Sequence, residues 1–556
     1  MNRFANPRLR AASALLLLTA LAAPAADPSG RIGILGAAKI TLPEVIQRVL
    51  ANDRSIAVSR IAREEAVLNL RGSLGAFDPR LGFAFHDSRV ITPVSSSLGG
   101  ATNGKLTTKE LLADPQLSGA SPWGGGTYRI DFSSARTASD STFNTLNPQF
   151  PSSLTFNYSQ PLWRGLRYDD NRHRVQVARR NIEMSDAQFR QRVIETITLA
   201  VQAYRELEFA RRNLEVQREA VRLVREQEAS IRRQVAQGLL APVDIVQTRT
   251  QVATFEQGLF SAESSLTAAE NTLKVLMLPD RSDLLWGMAL DPERAPDSAP
   301  VPSLDEAVKA ALAARPELRE SELALDVNRL DAKLSHEQTK PQVDLYGTLG
   351  YTGLAGALVT QSGANPFSSA FGPLVNQINL LSAQAGLAPL APISFGSGGV
   401  PPVFIGGYGQ SLSALGSGSY NTAVVGLNVS LPLRNRTATA AAALSAAEGR
   451  RLKTQKQQAE MAVEQDVRNA LQLLASTASR LRASSDARKS AEDQYASEER
   501  QFQAGTTTVF LVLQRQTELV TARTREARSE ADLGEAYANL DRALARTLET
   551  RGIALK

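Results

Sequence analysis

The sequence predicts an α+β membrane protein, internally duplicated, in which β-barrel strands of the outer-membrane type alternate with long coiled-coil helices. Three observations lead there. One order of segments is written twice, its start recurring 262 positions later; short segments alternate apolar and polar residues; and the longest segments repeat apolar residues every seven. Two-residue alternation is the period of a strand with one buried face, and a seven-residue repeat is that of helices wound around partners.

The chain is 556 residues long, which at about 150 residues per domain suggests three or four domains. It has 62 basic and 56 acidic residues, a net charge of +6. Arg3, Arg8 and Arg10 lie in an acid-free N-terminal segment, so the remainder carries only about +3. That balance argues against a nucleic-acid partner. The absence of cysteine excludes disulfides, thiolate metal sites and an acylated N-terminal cysteine. His86, His173 and His336 lack ligand spacing, so neither a metal nor a cofactor is expected.

Residues 1–25 read as a signal peptide. The three arginines precede an apolar run over 11–23, and Ala23-Pro24-Ala25 offers a cleavage site before Ala26. The run is shorter than the roughly 20 residues that span a bilayer. No later segment has 18 consecutive apolar residues, which leaves a soluble exported protein or a membrane β-barrel.

The first repeat covers 26–300 and the second 301–556. Thr41-Leu42-Pro43-Glu44 and Ser303-Leu304-Asp305-Glu306 are capping boxes that open helices near 42–72 and 304–338. Strands follow at about 79–161 and about 341–433. In the first repeat Leu81, Phe83 and Phe85 alternate with small or polar residues, as do Leu154, Phe156 and Tyr158. These six are the expected lipid-facing residues. The strand sections end on Gln160-Pro161-Leu162 and Leu431-Pro432-Leu433. Helical hairpins then run over about 172–278 and 436–548, broken at Gly238 and Gly505.

In the last helix of the first repeat, Ile245, Val252, Leu259, Leu266 and Leu273 form a heptad seam. A shift of 267 gives Val512, Leu519, Glu526, Leu533 and Leu540, so one seam position is acidic. A helix of about 65 residues spans roughly 100 Å, far more than a globular core requires. Between 345 and 433 there is no charged residue, and 16 of the 37 glycines fall there. Linkers are usually charged or proline-rich, so loops between barrel strands fit better.

With these segments in order, the chain resembles the outer membrane efflux protein family, the TolC-like channels. The resemblance rests on the twice-written helix–strand–strand–helix–helix order, the two strand exits, and Ala504-Gly505-Thr506 at a helix turn. It implies a homotrimer forming a twelve-stranded barrel in outer-membrane lipid, continued by a periplasmic helical tunnel. It also implies a periplasmic adaptor (membrane-fusion) protein and an inner-membrane pump as partners, and a Gram-negative-type cell outer membrane as the location. The first repeat departs from the two strands per half that twelve requires. It has a third alternating segment, Tyr128-Ile130-Phe132, so either one segment is an extracellular extension or a fourth strand hides between 91 and 125.

No catalytic constellation emerges, and no enzyme activity is expected. Gly409-Gln410-Ser411 is not followed by the second glycine of a nucleophile elbow. The tips 238–243 and 505–510 are the better candidates. Gly238 and Gly505 suit left-handed helix caps, and Pro242 suits a first helical turn. Leu239, Leu240, Thr506 and Val509 would complete an adaptor-docking rim, since exposed apolar tips call for a partner. The arginines at 211, 212, 218, 222, 225, 232 and 233 are interleaved with glutamates and read as a solvated or inter-helix face. The resemblance further implies a constriction just beyond the tips, which here would be Asp244, Leu511 and Gln514; the alternative is that Asp244, behind Pro242, only complements the helix N-terminus. The competing class is a periplasmic coiled-coil adaptor or structural protein without a pore. It would show one hairpin flanked by lipoyl-like or barrel halves.

Overall fold

The computed structural model describes residues 31–95, 100–101, 103–294, 300–359, 366–390 and 400–554. The expected leader and its cleavage site lie outside these residues, as do parts of the glycine-rich insert. The first repeat comprises β1 (Gly36–Ile40), α1 (Leu42–Asn52), α2 (Arg54–Leu74), β2 (Arg80–Pro93), β3 (Lys105–Ala120), β4 (Thr127–Ser139), β5 (Leu146–Pro161), α3 (Asp170–Ala236), α4 (Pro242–Met277) and β6 (Met288–Pro292). The second comprises α5 (Leu304–Ala314), α6 (Pro316–Gln338), β7 (Gln342–Leu358), α7 (Pro366–Gln384), α8 (Tyr408–Gly416), β8 (Asn421–Ser430), α9 (Arg436–Gln503), α10 (Val509–Ala543) and α11 (Thr547–Thr550).

Each opening helix, expected as one piece, is two. At Asp53 the chain turns extended, and its carboxylate accepts the Ile56 N–H at 3.0 Å, starting α2 afresh. In the second repeat Pro316 disfavours helical backbone at Arg315, which is extended. The two capping boxes also diverge. Thr41 Oγ1 accepts from the Glu44 N–H at 3.4 Å, but the Glu44 carboxylate turns to Arg48 at 2.8 Å. Glu306 does reach back, accepting from the Ser303 N–H at 3.1 Å and its hydroxyl at 2.8 Å.

The chain divides into two compact units. One contains the described residues up to 65, 183–323 and 453 onward. Its apolar core joins α1, α3 and α4 through Val45, Val49, Ile197, Tyr204, Leu207, Leu266 and Leu273. A second core joins α5, α9 and α10 through Ala307, Val467, Leu474 and Leu540. The expected seam is thus the packing face. The parallel pair β1·β6, absent from the sequence expectations, closes over the first core. Tyr204 Oη lies 3.1 Å from the Ile40 carbonyl and 2.5 Å from that of Glu293. The fully buried Lys274 donates to the Trp286 and Met288 carbonyls at 3.2 and 2.7 Å, and burial pushes its pKa down. Beside it, the buried Glu270 pairs with Arg31 at 3.1 Å.

The other unit, 66–182 and 324–452, is built on one six-stranded antiparallel sheet in the order β2-β3-β4-β5-β7-β8. The segment left open in the first repeat is therefore a strand, β3, and the first repeat contributes four strands where two were expected. Pro115 lies within β3. The β3·β4 ladder omits Asp114 and Pro115, as expected of a residue without an N–H, while β2 still faces them through Ala84 and Phe83. In the insert, α8 packs on β7 and β5. Ser152 and Ser411 share a 2.9 Å hydrogen bond, and a side chain at Gly353 would meet the Ser411 carbonyl at 2.1 Å, so only glycine admits the helix.

Candidate functional site

Two places carry the residues singled out in the sequence. The first is the sheet. Partners across a ladder share a face, so each register row reads one side of the sheet. One row runs Leu81, Leu117, Ile130, Phe156, Leu349, Ala423. Its neighbour runs Gly82, Gln116, Asp131, Thr155, Gly350, Thr422. Over the rows of Leu81 and Phe83 the sheet is thus apolar on one side and polar on the other, while further along the apolar side carries Asp87, Arg89, Lys109 and Arg136. All six expected lipid-facing residues fall on the apolar side: Leu81, Phe83 and Phe85 along β2, and Leu154, Phe156 and Tyr158 along β5. On the polar side Arg129 and Asp131 of β4 pair at 2.6 Å. At one margin of the apolar rows Tyr128 rests on Gly119, where a Cβ would meet its hydroxyl at 2.5 Å.

The second place is the pair of helix breaks. Gly238 and Gly505 both have φ of 75°, a conformation that favours glycine. Each closes the same cap. The Gly238 N–H bonds the Val235 carbonyl and the Leu239 N–H that of Gln234, both at 2.9 Å; Gly505 and Thr506 do so to Phe502 and Gln501 at 3.0 Å. Pro242 opens α4 as its first residue. Asp244 closes the turn by accepting the Ala241 N–H at 3.1 Å.

Burial revises the expected rim. Val509, expected to be exposed, is only 2% exposed, because it packs with Ile231, Phe255 and Leu513 in a local core. Leu240 is half-buried against the same core. Leu239 is 70% exposed, Val243 is exposed, and Phe510, which sequence reasoning passed over, is 59% exposed. Of the three residues implied as a constriction, only Gln514 lines the neighbouring groove of about 610 Å³, with Gln247, Thr250, Gln251, Phe510 and Thr517. Gln251 Nε2 donates to Thr517 Oγ1 at 2.9 Å. The shift of 267 relates Gln247 to Gln514 and Thr250 to Thr517, the signal that would have found this groove from sequence. The arginine-rich face is paired: Arg211 meets Asp291 at 3.1 Å, Arg222 meets Glu219 at 2.6 Å, Arg225 meets Glu256 at 2.5 Å and Arg232 meets Glu228 at 2.7 Å.

A long helical hairpin in each repeat together with a two-faced antiparallel sheet defines a class, the channel proteins of outer membranes. The sequence profile of that class described as outer membrane efflux protein matches residues 128–277 and 403–546, just over half of the chain. Among solved structures, the fold is similar to the outer-membrane channel OprN, with a TM-score of 0.61 at 15% identity, covering 91% of this chain and 89% of that one. It is likewise similar to the Campylobacter jejuni CmeC outer membrane channel, at 0.60 and 14% over 91% and 86%. The Neisseria gonorrhoeae MtrE outer membrane channel aligns at 0.56 and 14% over 91% and 89%. A search of curated protein sequences returns no match.

The chain belongs to the outer membrane efflux protein family. It is an outer-membrane efflux channel and not a pore-less adaptor.

Proposed function

We propose that this chain is one protomer of a homotrimeric duct. Its sheet supplies barrel wall in the outer-membrane lipid, and its two helix breaks receive a periplasmic adaptor fed by an inner-membrane pump. The two repeats, 26–300 and 301–556, would contribute matching hairpins to the periplasmic tunnel. The observation that carries the reading is the division of the sheet into an apolar and a polar side along whole register rows. Strands in a lipid-embedded barrel alternate in this way over about ten residues, with aromatic residues at the margins. β8 has ten residues, and Tyr128 and Tyr158 pair at one margin.

A polar sheet face also suits a water-filled lumen. The helix breaks support the adaptor part through Leu239, Val243 and Phe510, apolar side chains left in water on a cap whose backbone is already satisfied.

The test is a pair of adjacent substitutions. A charge on the lipid face costs roughly 2–4 kcal/mol at mid-bilayer, whereas a lumen face tolerates it. Phe156→Arg is expected to reduce the trimer recovered from outer membranes severalfold, and Asn157→Arg to leave it near the unsubstituted amount. Equal recovery of both would refute the assignment of faces.

A further inference from the structure

We infer that three copies close into an eighteen-stranded barrel, each contributing all six strands of its sheet, with β2 of one copy pairing to β8 of the next. This rests on the homotrimer proposed above and departs from the twelve strands that the resemblance implies.

The hairpin β3–β4 decides the count, and it has the properties of barrel wall. It sits between β2 and β5, with ladders on both sides, so it cannot be lifted out without opening the sheet. It carries Pro115 and Leu117 on β3 and Ile130 and Phe132 on β4 in the rows of Phe83, Leu81, Phe156 and Leu154, with Leu111, Ala113 and Tyr128 on the same side. Its polar side carries Asp114, Gln116, Arg129 and Asp131. A hairpin standing in water beyond the membrane would have no reason to hold Leu117, Ile130 and Phe132 in register with the apolar side chains of its neighbours, clear of Lys109 and Arg136 further along the same side.

The sheet also has the stagger of a closed barrel. The row from Arg80 passes through Ser118, Arg129, Asn157 and Thr348 to Val424. Measured from that row, β3 and β4 extend two residues further, β5 four, and β7 and β8 six, to Ala120, Thr127, Pro161, Gln342 and Ser430. Six residues of about 3.4 Å across five gaps of about 4.8 Å correspond to a strand tilt of about 40°, within the range closed barrels need.

The edges name the occupant. Among the described residues no strand covers the outer edge of β2 or of β8. Open edges do not persist in hydrocarbon, where every N–H and C=O must be satisfied. Six is even, so β8 runs opposite to β2, and a second copy continues the antiparallel alternation across the junction. At that tilt, eighteen strands give a backbone diameter of about 36 Å, against about 24 Å for twelve. The outer-membrane exit would therefore admit a bulkier cargo than a twelve-stranded wall.

The experiment uses the full chain in lipid nanodiscs. The protein lacks cysteine, so each introduced thiol is unique. Single thiols at Leu117→Cys and Ile130→Cys carry a fluorophore, quenched by nitroxides on lipid acyl chains, with Phe156→Cys as the reference. A chain carrying Leu81→Cys and Val429→Cys is oxidised and run on a gel, and particle mass counts the copies. A trimer mass, quenching at 117 and 130 within twofold of that at 156, and a ladder of linked dimers and trimers are expected. A trimer in which 117 and 130 escape lipid quenching overturns the eighteen strands while leaving the trimer standing. Any other copy number overturns the trimer reading and the eighteen strands together. Quenching is read at two independent positions, so one misfolded variant does not empty the test.

Discussion

Glu526 of α10 and Arg488 of α9 approach to 2.6 Å at the one acidic position of the heptad seam. The contact is made through Arg488 Nε, while Arg488 Nη1 also meets Glu492 at 2.6 Å. The Glu526 carboxylate raises the pKa of Arg488, and Glu526 itself is buried. An acidic residue is thereby tolerated where Leu519 and Leu540 fill the equivalent seam positions.

The two partners are therefore unequal. Arg488→Met strands a buried carboxylate and is expected to cost about 3 kcal/mol, the usual penalty for breaking a buried pair from one side. Glu526→Leu leaves Arg488 its Glu492 partner and restores an apolar seam, so its cost is expected to be under about 1 kcal/mol. Thermal melts of the two single variants and the double variant in detergent check the order. Equal losses would mean the pair is not what holds the seam there.

Asp466 is one contributor to acid stability. Burial pushes its carboxyl up, but Arg315 and Arg542, the latter at 3.0 Å, bring it below the ordinary aspartate range. A lowered folded-state pKa contributes stability above the unfolded value, lost as pH falls through the folded one. Glu535 has the opposite sign: burial raises its pKa, so its folded-state advantage holds at low pH and disappears as pH rises. Asp466→Asn is expected to lower the melting temperature at pH 7 and flatten its decline below pH 4, whereas Glu535→Gln raises it at pH 7. Melts between pH 3 and pH 8 read both signs.

At the helix breaks, Leu239→Asp and Phe510→Asp are expected to fold normally and weaken adaptor binding at least tenfold, because both side chains are already in water. Val509→Asp is expected to fail earlier. A buried carboxylate among Ile231, Phe255 and Leu513 costs several kcal/mol and would loosen that end of the hairpins. Circular dichroism melts beside adaptor pull-down separate the two kinds of loss. Normal binding by both exposed variants would remove these residues from the docking surface.

Asp244 is engaged with the Ala241 N–H. Asp244→Asn is expected to cost about 0.3–1 kcal/mol, the value of an acid in a first helical turn, and to leave cation preference unchanged in single-channel recordings. A drop in cation preference in a folded trimer would support a place for Asp244 in the constriction.

Much of the molecule was legible in its residues because local periodicity reports local geometry. The heptad seam marks the buried stripe of α4 and α10, the glycines mark both breaks, and the alternation on β2 and β5 assigns their faces. β3 was not legible. Leu111 and Leu112 stand side by side, and Pro115 argues against a strand until its neighbours show which ladder can spare an N–H. The burial of Val509 was hidden for a related reason: its partners Ile231 and Phe255 are more than 250 residues away in sequence. The same holds for β1·β6, whose pairing joins Gly36 to Met288.

The sequence by itself determined the long helices with their breaks, the strands β2 and β5, the duplication and the family, since caps, breaks and repeats act within a few residues of one another. Only the tertiary structure decided how many strands one copy brings to the sheet, which tip residues meet water, and that the acid in the seam has a partner. Those depend on contacts between segments far apart in the chain, where register, burial and charge pairing are settled by what packs alongside.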